Sequence, residues 1–172
     1  VLTGKQKAFF HAHRADDVFT AIRIAREFKL ELVLVHCTEG YLVRDLLAEE
    51  KIPVIAGPIL SDRSKPELRN LTVENPGLLD KAGIQTALCT DHPVIPIQYL
   101  ALCAGVAVGA GMDREQALKA ITINAARAAG IQDRVGSLAV GKDADFSVFD
   151  GDPCSPYVRP EMVFIDGKPV TE

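Results

Sequence analysis

The sequence predicts an α/β fold built on a parallel sheet, and three observations carry that expectation. Leu32-Val33-Leu34-Val35 is an unbroken apolar run that ends at His36, which suits a strand covered on both faces. Similar runs, Ala8-Phe9-Phe10-His11 and Thr86-Ala87-Leu88-Cys89-Thr90-Asp91, lie before and after it, with amphipathic helical stretches between. Strands that alternate with helices form a parallel sheet with right-handed crossovers. Each of these three strands also ends in a side chain that can ligate a metal, at the sheet edge where α/β folds place their chemistry.

Taken in order, Lys7 to His11 forms the first strand. Asp16 and Asp17 open a helix whose apolar positions Val18, Ala21, Ile22, Ala25 and Phe28 recur at helical spacing on one side. Leu30 to His36 is the second strand, and Tyr41 to Glu50 a helix with Leu42, Leu46 and Leu47 on one face. Ile52 to Ala56 is the third strand, stopped by Gly57-Pro58. A polar loop from Leu60 to Leu71 follows, then a short helix from Leu78 to Ala82 stopped by Gly83, and a fourth strand from Ile84 to Asp91. Beyond Asp91 the texture is helical: an Ala-rich helix from Tyr99 to Ala110, one capped by Asp113 and running to about Thr122, and a third from Ala125 to Ala129 closed by Gly130. From Gly136 it turns to β, with Asp145 to Phe149 alternating, Met162 to Ile165 as a strand, and Asp166-Gly167 as a hairpin signal. That tail is too short to stand alone and is expected to pack on the helical part or to complete a sheet begun by other residues.

The chain of 172 residues can bury a real core. A net charge of -4 without a basic run argues against nucleic acid as a partner. No apolar stretch reaches the ~20 residues of a membrane helix, and the N-terminus lacks the order of a signal peptide. Cys37, Cys89, Cys103 and Cys154 form no CxxC pair, so reduced thiols in a cytoplasmic protein are expected. The opening Val1-Leu2-Thr3-Gly4 carries no initiator Met, as in a processed or cut chain.

His11, His36 and Asp91 form the candidate site. Two neutral imidazoles and one carboxylate suit zinc or a similar divalent ion, which lowers the pKa of a bound water to about 7, and a carboxylate beside that water can accept its proton. The bland reading is three residues that merely end strands and cap helices, and spacing alone leaves both open. In His11-Ala12-His13, both imidazoles would share a face if the strand continued; His13 reads better as a loop residue meeting substrate or solvent. His92 precedes Pro93, which pushes it out of the strand toward the pocket or the surface. Arg63, with Lys65, Glu67 and Arg69, lies in the loop after the third strand and could bind a substrate anion, although a solvated loop is the simpler reading of these charges. Glu39-Gly40 is compatible with helix capping and needs no catalytic role.

These segments resemble the metal-dependent amidohydrolases of the imidazolonepropionase-like and prolidase-like branch. The carrying motifs are His11-Ala12-His13-Arg14-Ala15-Asp16-Asp17, Leu34-Val35-His36-Cys37-Thr38-Glu39-Gly40, Thr90-Asp91-His92-Pro93, Thr122-Ile123-Asn124-Ala125-Ala126-Arg127, and the run from Gly136 to Asp145. The resemblance implies strands 5–8 of a (β/α)8 barrel over residues 1–135 and part of a small β-sandwich over 136–172. It implies that His11 and His36 are metal ligands and that Asp91 is both ligand and general base. The implied reaction is hydrolysis of an amide, cyclic amide or peptide-like C–N bond in a small molecule, with a divalent metal, zinc by default. The family's first-strand His-x-His pair and fourth-strand lysine have no counterpart, which implies a C-terminal half with little activity alone. The expected partner is the missing N-terminal half or a second copy of the chain. The rival expectations are a non-catalytic, self-associating half-barrel and a two-copy barrel with a working one-metal site.

Overall fold

The structure, a computed structural model, describes residues 1–170. Four strands, β1 (Ala8–Ala12), β2 (Leu32–His36), β3 (Val54–Ala56) and β4 (Thr86–Leu88), form one sheet in sequential order, and every neighbouring pair is parallel. Helices α1 (Ala15–Glu27), α2 (Arg44–Glu50) and α3 (Asn75–Lys81) make the crossovers. Their apolar sides meet one face of the sheet around Val18, Ile22, Leu34, Leu47, Val54 and Leu79, all fully or almost fully buried. The expected strands and helices are present, with shorter third and fourth strands than the sequence predicts.

The opposite sheet face is less well covered. Side chains alternate along a strand, so Phe9 and His11 point away from the helix-facing Ala8, Phe10 and Ala12. Phe9 is 49% exposed and Val35 only half-buried, while Val33, opposite Phe9 on β2, is fully buried. Cover on both faces therefore holds for the middle of β2 and fails at β1, the edge strand. Parallel sheets are ordinarily covered on both faces.

Two local departures have simple causes. The stretch expected as one helix from Tyr41 begins as a 3₁₀ turn, Gly40–Val43, before α2. Leu47 is buried, whereas Leu42 and Leu46 are 55% and 57% exposed. A 3₁₀ turn advances faster per residue than an α-helix, and neighbouring helical positions stand roughly 100° apart, so the three leucines cannot share one buried stripe. The helix expected from Leu78 starts three residues earlier, with Asn75-Pro76 in its first turn, because proline is favoured there.

After β4, helices α4 (Leu100–Gly109) and α5 (Arg114–Ala120) pack a second core around Leu88, Cys103, Ala104, Ala107, Met112 and Ala117, and α6 (Ile123–Ala129) follows. The Asp113 side chain caps α5 by accepting from Gln116 N at 3.0 Å. Buried Asn124 on α6 donates to Thr86 O at 3.0 Å, which satisfies a carbonyl of β4. Gly105 admits a close backbone crossing, because a Cβ there would lie 2.1 Å from Cys154 O. The tail forms a single antiparallel sheet of β5 (Phe146–Phe149), β6 (Pro160–Ile165) and β7 (Lys168–Pro169), with Phe146 and Phe164 stacked 4.5 Å apart. No second sheet packs on it among the described residues, so a complete sandwich is not formed. Between this sheet and α5–α6 runs a largely apolar groove of about 870 Å³. The four cysteines are free, and no described helix is long and apolar enough to cross a membrane.

Candidate metal centre

Parallel pairing sets the site. The register places His11 opposite Val35 and Ala12 opposite His36, so β1 and β2 end level with each other. His36 and Cys37 then take left-handed backbone angles, φ +72° and +46°, which turn the chain sharply at the end of β2. His13 follows β1 directly. It lies outside the strand, as the sequence predicts, but it is buried and meets neighbouring side chains rather than solvent.

Three imidazoles converge. His11 Nε2 lies 2.9 Å from His13 Nε2, and His36 Nε2 lies 3.2 Å from His11 Nδ1. One nitrogen from each of the three lies within 4.8 Å of the others. A zinc ion with Zn–N bonds of ~2.0–2.1 Å in a tetrahedral shell needs nitrogens roughly 3.3 Å apart, so small ring movements suffice. The far nitrogens are held: His36 Nδ1 contacts Gly57 O, and His13 Nδ1 lies 2.7 Å from buried Thr38 Oγ1. Such outer contacts are how proteins orient metal-binding histidines.

The electrostatics favour neutral rings at His13 and His36. Burial, helped by the neighbouring His36 and His11, lowers the His13 pKa to about 4, against a smaller upward pull from Glu67. Burial also lowers that of His36, partly offset by the Gly57 carbonyl and by Asp91. A neutral imidazole keeps the lone pair that a metal requires. The residues present therefore fit a divalent ion.

Asp91 occupies the turn after β4 with φ +52° and an exposed side chain. It stands outside the three-histidine cluster, although its charge acts on His36. His92 is exposed. Arg63 is also exposed, and its Nε and Nη2 both donate to Leu71 O, at 3.2 and 2.9 Å, which holds its own loop. The loop nevertheless reaches the site through Lys65 and Glu67, whose charges act on His13; Glu67 also lines a cavity of about 440 Å³ beside His11 and His13.

Further residues support the cluster from behind. Glu39 does cap a helix, but across the fold: Oε2 accepts from Ala15 N of α1 at 2.9 Å, and Oε1 accepts from Asn70 Nδ2 at 2.8 Å. Asn75 accepts from Tyr41 N at 3.0 Å and donates to Cys37 O at 3.1 Å, which fixes the turn after His36. Thr38 and Gly57 hold the far sides of two imidazoles. Thr38 and Glu39 are marked in the sequence by their place in the motif that follows His36; Gly57 and Asn75 carry no such signal.

Fold and site together define a parallel α/β unit with a metal-ready histidine cluster at the carboxyl edge of its sheet. Residues 11–170 match the amidohydrolase family. The chain belongs to that family, whose members are hydrolytic enzymes acting on C–N bonds. An amidohydrolase of solved structure from Thermotoga maritima superposes with a TM-score of 0.95 at 47% identity, over 99% of this chain and 45% of that one. An adenosine deaminase from Xanthomonas campestris, solved with bound zinc, superposes with a TM-score of 0.63 at 25% identity, over 95% of this chain and 45% of that one. An imidazolonepropionase from Fusobacterium nucleatum is 41% identical over 78 residues, 41% of this chain and 18% of that protein. The chain thus spans less than half the length of each.

Proposed function

We propose that this chain supplies the metal-binding half of a hydrolase for amide, cyclic amide or peptide-like C–N bonds in small molecules. The observation that carries the reading is the convergence of imidazole nitrogens where two adjacent parallel strands end. In this reading β1 to β4 are strands 5–8 of an eight-stranded barrel, residues 1–135 are barrel, and residues 136–172 belong to a small sandwich. Three features support it: the 45% share of the Thermotoga amidohydrolase, the open edge at β1, and the apolar groove under the tail sheet.

His11 and His36 bind the divalent ion, zinc by default, with Asp91 facing the same end of the sheet. The ion supplies Lewis acidity toward the scissile carbonyl and the attacking water. Asp91 takes the proton of that water and returns it to the leaving nitrogen. Lys65 and Glu67 set the charge above the cluster, and His92 and Arg63 are available to a substrate from the adjoining loops. The partner is the remaining half of the barrel or a second copy, and the chain alone has little activity.

The test is hydrolysis of a panel of cyclic amides and dipeptides by the zinc-loaded chain combined with the complementary half. Asp91→Asn is expected to lower kcat by ~10²–10⁴. Activity unaffected by that change would sink the assignment. The open sheet face and the groove also favour a second reading, a non-catalytic half-barrel that self-associates. That reading requires a dimer in solution with no stoichiometric metal.

A further inference from the structure

Glu39 is buried, 7% exposed, and forms no ion pair among the described residues. A carboxylate held out of water without a counter-charge needs hydrogen-bond donors in its place. Glu39 finds them on two other connections at the same end of the sheet. Its Oε2 accepts from Ala15 N, the first residue of α1, at 2.9 Å, where the helix dipole favours a negative charge. Its Oε1 accepts from Asn70 Nδ2 at 2.8 Å, in the loop after β3. A carboxylate only accepts, so Asn70 must present its amide nitrogen there. The backbone of the same residue joins in, because Glu39 N donates to His13 O at 2.9 Å. One buried residue therefore ties together the connections that follow β1, β2 and β3.

The loop after β3 has few other anchors. Tyr41 Oη donates to Asn70 O at 3.1 Å, Arg63 clips the loop to Leu71 O, and Leu68 is buried. Among these anchors, Pro66–Leu68 forms a 3₁₀ turn that brings Glu67 to the cavity beside His11 and His13. We infer that Glu39 is a positioning residue, which acts through Asn70 to fix the loop from Leu60 to Leu71 as the substrate-facing wall of that cavity. This deepens the hydrolase reading and rests on it for the substrate; the clamp itself requires no metal. Asn70 lies three residues beyond Glu67, so freeing its side chain loosens the wall without removing any group from the histidine cluster.

Hydrogen exchange read by mass spectrometry on the chain and its Asn70→Ala, Asn70→Asp, Glu39→Ala and Glu39→Gln variants tests the clamp, with thermal melting as the stability control. In Asn70→Ala, exchange at Leu68 and Leu71, whose amides donate within the loop, is expected to quicken by ~10–100-fold, the worth of a hydrogen bond to a charged group. Peptides covering β2 are expected to keep their rate. Asn70→Asp sets two carboxylates face to face and should loosen the loop at least as far. Glu39→Gln keeps an oxygen for Ala15 N and offers its amide to a flipped Asn70, so it should restore the protection that Glu39→Ala loses. Unchanged exchange in Asn70→Ala, or an even rise along the whole chain, overturns the clamp. In the zinc-loaded chain combined with the complementary half, Asn70→Ala is expected to raise KM with kcat unchanged, the signature of lost substrate binding. A loosened loop with an unchanged KM overturns the substrate role and leaves the hydrolase reading standing. If the unmutated pair hydrolyses nothing, the hydrolase reading fails and the substrate role with it, whatever the exchange result.

Discussion

Gly57→Ala tests how the strand ends hold the site. Gly57 follows β3, and its carbonyl accepts from His36 Nδ1. Its φ is +130°, and an added Cβ would stand 2.3 Å from Cys89 O, a separation that real Cβ atoms do not show below 3.0 Å. The obstacle is backbone, and it is anchored by the Cys89 N to Ala56 O hydrogen bond at 2.9 Å. In a close-packed interior, a shift of at least about 0.7 Å must be absorbed by the two strand ends. The φ alone costs an alanine about 1–3 kcal/mol, and the overpacking costs about 1–3 kcal/mol more. Gly83→Ala is the control: its φ is +82° but nothing lies within 4 Å of the new Cβ, so only a backbone cost of about 1–2 kcal/mol applies. Urea unfolding followed by circular dichroism should therefore rank Gly57→Ala well below Gly83→Ala, and the Tm of Gly57→Ala should fall by at least ~5 °C. Equal destabilisation by the two changes would refute the steric argument and the strand-end geometry behind it.

Other expectations concern the core, the edge and pH. Leu47→Ala should cost about 2–5 kcal/mol, whereas Leu46→Ala, one position away and 57% exposed, should stay within ~0.5 kcal/mol in the same urea assay. Asn124→Ala leaves the buried Thr86 carbonyl without its side-chain donor and should cost about 1–3 kcal/mol by thermal melting. In metal-free protein, the depressed His13 pKa of about 4 makes the unfolded chain, with an ordinary value of 6.5, the better proton acceptor. Its contribution to stability is complete above pH 6.5 and is lost as pH falls toward 4, so acid unfolding should be milder in His13→Gln. Cys37, pushed up to about 12 by burial from an ordinary 9.0, contributes stability that is complete below pH 9 and is lost as pH rises toward 12. Its thiol should resist alkylation at pH 8 until the chain unfolds, as mass spectrometry of labelled peptides would show.

What was legible in the sequence follows from the range of the interactions involved. The β2 run and the spacing of Val18, Ala21, Ile22 and Ala25 are local patterns, and both elements form where the pattern places them. The Asp113 cap and the Gly130 stop, at φ +75°, are likewise local. Leu42, Leu46 and Leu47 do not share one buried stripe, because a 3₁₀ turn separates Leu42 from α2 and because Leu46 and Leu47 are adjacent helical positions; the close approach of Gly40 to Leu79, 39 residues away, is not encoded locally. At the site, His11 and His36 stood out as strand ends. The place of His13 depended on what its ring meets, and that is set by Thr38, 25 residues away. The Glu39 bridge to α1 and the Asn75 bridge to the β2 turn span 24 and 38 residues, which no local pattern encodes. Asp91 is marked both by its strand end and by the Thr90-Asp91-His92-Pro93 motif, and in the structure its side chain is exposed while its charge acts on His36.

The central claim is that these histidines form a metal centre, and zinc K-edge X-ray absorption on the zinc-loaded chain tests it most directly. The account predicts one bound zinc with nitrogen neighbours at ~2.0–2.1 Å and the outer-shell scattering of imidazole rings, lost in His36→Ala. A shell of oxygen neighbours without imidazole scattering, or a spectrum unchanged by His36→Ala, would contradict it.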